Sequence, residues 1–215
     1  MRLEIKLSLV LILAVLAGAV YLLPKQPAVE VSAEVGKILD LPAEILEESA
    51  PKTPDPPFVP DARTKTSGCS VNGPYPEHKC TPGAIFVSTT VEQICTQGYT
   101  KTVRNVSVTL KKQVYAAYGV SYPQPTGSYE ADHFIPLAIG GNNDIANLFP
   151  EAEAPARGEL GFREKDLVEV FLQEEVCAGR MSLPRAQEAI VDDWVAVYKS
   201  MTPAQLADLK SRRYW

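Results

Sequence analysis

Histidine is scarce in this 215-residue chain: there are two, His78 and His133. Neither sign of charge dominates either. Twenty-one Lys and Arg stand against 26 Asp and Glu, a formal net charge of -5. That balance excludes a protein that captures polyanions through its overall field, so nucleic acid would have to meet a local basic patch. No C-x-x-C pair occurs among the four cysteines, and His78 is the only histidine near them, which argues against a zinc site. No internal repeat is visible, and no DNA-reading module is recognisable.

What the chain does have begins at its N-terminus. "MRLEIK" supplies Arg2 and Lys6, and an uncharged apolar run continues from Leu7 to Leu23, with Ala17-Gly18-Ala19 inside it. This pattern reads as a secretory signal over residues 1–23. The run also approaches the lower limit of ~17 residues for a spanning helix, so an uncleaved anchor with the body outside the membrane is the alternative. Export makes disulfides the default for Cys69, Cys80, Cys95 and Cys177. Four cysteines allow three pairings; a Cys80–Cys95 bridge, for one, would contribute ~3 kcal/mol in the chain-entropy model.

Residues 24–67 hold many of the prolines, including "APKTPDPPFVPDA", and read as an extended, solvated spacer. The folded body is expected over residues 68–215. "AIFVST" and "TKTVRNVSVT" are rich in β-branched residues and predict strand or extended structure. Leu110, Val114 and Tyr118 predict a short helix closed by Gly119.

The next segment, "YEADHFIPLAIGGNNDIANLFP", places two short apolar runs around Gly140-Gly141-Asn142-Asn143 and predicts a hairpin-like ββ unit. Asn142, Asn143 and Asp144 read as turn formers. Helical patterns follow: one runs from Phe162 to Gly179, a second has Ala186, Ile190, Trp194 and Tyr198 at i+4 spacing behind a Ser182 cap, and a third starts at the Thr202 capping box. The expected class is α+β: a small β region, a ββ turn and a helical cover.

The chemistry sits in Asp132-His133. Hydrolysis of a phosphodiester needs a base for water, positive charge beside the phosphate, and alignment. A neutral imidazole can take the proton, and a divalent ion such as Mg²⁺ is held by one or two carboxylates. Neighbouring strand residues face opposite ways, so a bend near Pro136 or a helix over the strand end is needed to use both residues at one place. Asn147 is suited to tie the loop by bonding backbone across the turn.

These residues resemble the HNH (ββα-metal, His-Me finger) endonucleases, and more closely an exported bacterial branch of them. The resemblance rests on "CTPGAI", "ICTQGYTKTVR", "YEADHFIPLAIGGNNDIANLFPE", "KDLVE", "VCAG" and "AQEAIVDDW", in that order, spanning roughly Cys80 to Tyr198. It implies a ββα-metal core and phosphodiester cleavage in DNA, with RNA as a second substrate and low sequence specificity. His133 becomes the general base, Asp132 a metal ligand and Asn147 the residue that holds the loop, around one Mg²⁺ (or Mn²⁺ or Ca²⁺).

The third part of such motifs is normally a His or Asn on the following helix, and this chain has neither after Asn147; Gln173 stands where relatives carry His. Glu169 is the favoured second metal carboxylate and Asp166 its rival. Lys101, Arg104 and Lys165 are the phosphate-contact candidates, with Lys165 equally able to pair with the neighbouring acids. The competing expectation is a disulfide-bonded envelope protein that keeps this frame without catalysis.

Overall fold

A computed structural model describes residues 54–154 and 158–212. The expected signal or anchor, most of the spacer and the last three residues lie outside that range. Elements in chain order are β1 (Val71–Asn72), β2 (Tyr75–Pro76), α1 (Val91–Ile94), α2 (Tyr99–Val103), α3 (Val108–Ala117), β3 (Tyr129–His133), β4 (Leu148–Ala152), α4 (Phe162–Cys177), α5 (Leu183–Ser200) and α6 (Pro203–Ser211). Two 3₁₀ turns, Leu137–Ile139 and Ile145–Asn147, lie between β3 and β4. The class is α+β, as expected.

β3 and β4 pair antiparallel, with His133 opposite Leu148, Asp132 opposite Phe149 and Glu130 opposite Glu151. The connection is not a tight hairpin. It is a long excursion, and Asn147 holds it together: Oδ1 accepts from Ile135 N at 2.8 Å, while Nδ2 donates to the Ile135 and Asn142 carbonyls at 2.9 Å each. Asn147 is fully buried, so these bonds meet no competition from water. Both glycines are required. Gly140 sits at φ +85°, and a Cβ on Gly141 would lie 1.8 Å from the Ile135 carbonyl oxygen.

"TKTVRNVSVT" is corrected from strand to helix. Tyr99–Val103 and Val108–Ala117 are helical, and Ser107 Oγ accepts from Leu110 N to cap the second. The cap supplies a helix start that outweighs the β preference of three valines. "AIFVST" is also not a strand; only Ile85 bridges, to Gly141.

The main core joins Ile94, Ile135, Ile139, Leu172, Ile190 and Trp194, all 0% exposed. α4 buries Leu167, Val168, Leu172 and Val176 in one cluster with α5, which supplies Ala186, Ile190 and Trp194. α5 is interrupted at Asp193 (φ -164°, ψ 83°), whose Oδ1 accepts from Ala196 N at 2.8 Å and restarts the helix. Ser182 and Thr202 cap their helices as expected.

Residues 54–67, expected as spacer, lie against the body without regular structure: Phe58 packs on the core, and Arg63 Nε donates to the Cys80 carbonyl at 2.9 Å.

The disulfides are Cys69–Cys80 and Cys95–Cys177, so Cys80–Cys95 is not the pairing adopted. Two disulfides fit an oxidising, exported setting. The second joins Cys95, the C-cap of α1, to Cys177, the last residue of α4, across 82 positions of sequence. Among the described residues no helix is long and apolar enough to cross a membrane.

Candidate active site

One side chain of α4 joins it to the β3–β4 pair. Lys165 is 0% exposed. Its Nζ donates to Asp132 Oδ2 at 2.7 Å, the His133 carbonyl at 2.7 Å and Glu169 Oε1 at 2.8 Å. Glu151 Oε2 lies 3.8 Å away. A buried ammonium is tolerated only when oxygens surround it, and here they come from β3, β4 and α4 at once.

Burial acts to lower the Lys165 pKa, but Asp132, Glu169 and Glu151 together raise it, so it stays charged. Burial also pushes Asp132 upward, and the adjacent ammonium overrides it, leaving its pKa at about 2. Glu169 goes the other way: burial outweighs Lys165 and raises it to about 7. Glu151 is 1% exposed, no N–H or hydroxyl donor reaches its oxygens within hydrogen-bond distance, and the group that its carboxyl meets is the Asp132 side chain. Burial and the nearby Asp132 charge push its pKa well above the usual range, so it is the neutral acid of the cluster.

His133 ends β3, and its ring is almost enclosed, at 2% exposure. Its surroundings are polar as well as apolar. Nε2 faces Asn143 Oδ1 at 3.2 Å. The orientation of that amide is fixed from elsewhere: Nδ2 donates to the Val103 carbonyl at 2.7 Å, and Oδ1 accepts from Asn105 N at 3.0 Å. Asn143 therefore offers the imidazole an acceptor, and His133 carries its proton on Nε2. Nδ1 keeps the lone pair. Burial lowers the His133 pKa to about 4 despite Asp132 and Asn143, so the ring is neutral at physiological pH.

Arg104, exposed at the end of α2, lies close enough to depress both His133 and Glu169.

The structure thus brings Asp132, His133, Glu169 and Lys165 together, with Arg104 at the margin and Asn147 behind them. Asp166 is next to Lys165 in sequence, and helical geometry turns it about 100° away from that face. Lys165 adopts the paired role rather than the phosphate-contact role, being wholly buried. Lys101 is exposed on α2. Gln173 is not at this cluster: its Nε2 donates to the Ile94 carbonyl at 2.8 Å.

Two residues are additions. Asn143 is more than a turn former, and Glu151 completes the acid ring. A buried charged strand position, inferred from Glu151 following "NLFP", is the only sequence signal that points to the latter.

Two features bear on a divalent ion. Lys165 takes one oxygen from each carboxylate and lies beneath them, whereas Asp132 and Glu169 keep 14% and 19% side-chain exposure. An ion approaching from solvent meets those two acids first, and a pair of carboxylates is a donor set that Mg²⁺ uses. Among the described residues, no three His, Cys, Asp or Glu side chains are arranged as a metal cage. The fit is to a hydrated ion on two carboxylates, weakened by the cation behind them.

Comparison with protein-family models, with curated proteins and with solved structures finds no match to this chain.

Proposed function

We propose that this chain is an exported endonuclease of the ββα-metal (HNH) type that hydrolyses phosphodiester bonds of DNA, with RNA as a second substrate and little sequence preference. The observation that carries the reading is that two carboxylates from separate segments, Asp132 and Glu169, meet at one buried ammonium, with the neutral, Nε2-protonated His133 ring in electrostatic reach of Asp132. Such a constellation has a base, an acid pair and a means of holding both.

In this reading His133 Nδ1 accepts the proton of the attacking water. Asn143 holds the ring in the tautomer that leaves Nδ1 free, and Asn147 fixes the loop that carries Asn143. Asp132 and Glu169 hold the divalent ion, which when bound offsets charge on the phosphate. Lys165 keeps the two carboxylates apart and oriented. Arg104 meets a phosphate oxygen at the margin.

One observation favours a second reading, an inert disulfide-bonded protein on the same frame. The His133 ring is 2% exposed, so attacking water reaches it only if the site opens. The experiment that separates them incubates plasmid DNA with the protein in Mg²⁺, in Mn²⁺ and in chelator. Nicking that needs the metal and disappears in His133→Ala supports the nuclease. Intact plasmid under every metal condition supports the inert protein.

A further inference from the structure

Along the first residues of β3, the surface is a groove of about 400 Å³ bounded by Arg104, Lys111, Tyr115, Tyr122, Tyr129 and Glu130. Its composition differs from the rest of the slightly acidic body: three tyrosines and two cations meet in one concavity. Tyr122 is 38% exposed, while Tyr115 is 4% exposed and lies edge-on to it, with centroids 5.3 Å apart. The buried ring props the exposed one, so a planar group can lie on Tyr122 at little entropic cost.

Both ends of the groove are informative. Lys111 stands on the first turns of α3. Arg104 belongs to the groove lining and also lies within electrostatic reach of His133 and Glu169, so one cation is shared between the groove and the proposed reacting centre.

We propose that this groove is a subsite for an unpaired nucleic-acid strand, with one base stacked on Tyr122 and flanking phosphates at Lys111 and Arg104. The ligand class rests on the phosphodiesterase reading. Stacking selects the single strand, because a base within a duplex has no free face to offer. Phosphate contacts through two cations fix register without reading sequence.

The test uses the whole chain in chelator, so that nothing is cleaved, with fluorescent oligothymidylate and a duplex of equal length titrated at several salt concentrations. The single strand is expected to bind more tightly than the duplex. Tyr122→Ala is expected to weaken single-strand binding about tenfold, the scale of one lost base stack, and Tyr122→Phe to restore it. Lys111→Gln is expected to weaken binding and to reduce the slope of log K against log salt by roughly 0.7, one phosphate on a single strand. Lys199→Gln, exposed on α5, is the variant expected to change nothing.

Three results would overturn the subsite: no binding of the oligonucleotide, a preference for duplex, or unaltered affinity in both Tyr122→Ala and Lys111→Gln. Cleavage decides the enzymatic reading separately. Binding that depends on Tyr122 with no cleavage in any metal keeps the subsite and removes the nuclease. Metal-dependent cleavage with binding insensitive to Tyr122 and Lys111 does the reverse.

Discussion

Asn143 Oδ1 lies 3.2 Å from His133 Nε2, and the same amide donates to the Val103 carbonyl at 2.7 Å. The second bond fixes the meaning of the first: the amide cannot flip without losing it, so the imidazole is the donor and its proton sits on Nε2. Asn143→Ala is therefore expected to slow cleavage roughly 10- to 100-fold, on the scale of residues that orient a functional imidazole. The loss should fall on kcat with KM nearly unchanged. Equal losses in Asn143→Ala and in a neighbouring turn variant such as Asp144→Ala would assign it to loop folding alone.

The Lys165 cluster predicts an asymmetric stability cost. Lys165→Met leaves Asp132, Glu151 and Glu169 facing one another without their cation, and breaking a buried ion pair in this way costs about 3–5 kcal/mol. The deficit should be largest above pH 7, where Glu169 is charged, and smaller at pH 5, where it is neutral. Urea denaturation at both pH values measures it.

Two groups in the site have opposite linkage to pH. Glu169 is raised from 4.5 to about 7 on folding, so its contribution is present below 4.5 and is lost as pH rises through about 7. His133 is depressed from 6.5 to about 4, so its contribution is present above 6.5 and is lost as pH falls through about 4. Those two oppose each other between pH 7 and 4, and Glu151, also raised on folding, acts in the same direction as Glu169. Glu169→Gln removes one of the two raised acids, so its melting temperature is expected to compare less and less favourably with the parent's as pH drops from 7 to 4.5. Parallel Tm curves for the two proteins would contradict this.

The same values predict the activity profile. His133 is neutral well above pH 4, so it does not limit the rate near neutrality. In the proposed reaction Glu169 holds a metal ion only when ionised, so at metal concentrations far below saturation cleavage is expected to rise through about pH 7 as one proton is lost. A midpoint near 4 would make His133 the limiting group instead.

Much of this arrangement was legible in the sequence. Asp132, His133 and Asn147 lie within one short segment, where a Gly-Gly turn and an amide announce a tied loop. Helix caps at Ser182 and Thr202 are local signals and were readable for that reason. The β-branched run around Val103 and Val106 misled, because the Ser107 cap and the packing of Val114 and Tyr115 outweigh local preference. The Lys165 cluster was only half visible: i+4 spacing links Lys165 to Glu169, but their meeting with Asp132 and Glu151 depends on how α4 meets the β3–β4 pair. Disulfide pairing belongs to the same class, since Cys95 and Cys177 are brought together by packing.

That pairing carries its own prediction. The Cys95–Cys177 bridge spans 82 positions against 11 for Cys69–Cys80. In the chain-entropy model the longer loop contributes roughly 4–5 kcal/mol and the shorter about 3. Cys95→Ser with Cys177→Ser is expected to lower stability more than the Cys69/Cys80 pair does, read as the shift in denaturant midpoint.

The central claim is that the His133 imidazole takes the proton from water. His133→Gly empties a nearly enclosed space that free imidazole can enter, and plasmid cleavage by this variant in Mg²⁺ with and without imidazole tests the claim directly. Activity lost in the variant and regained with imidazole is the predicted result. A His133→Gly variant that cleaves as fast as the parent protein without imidazole would contradict it.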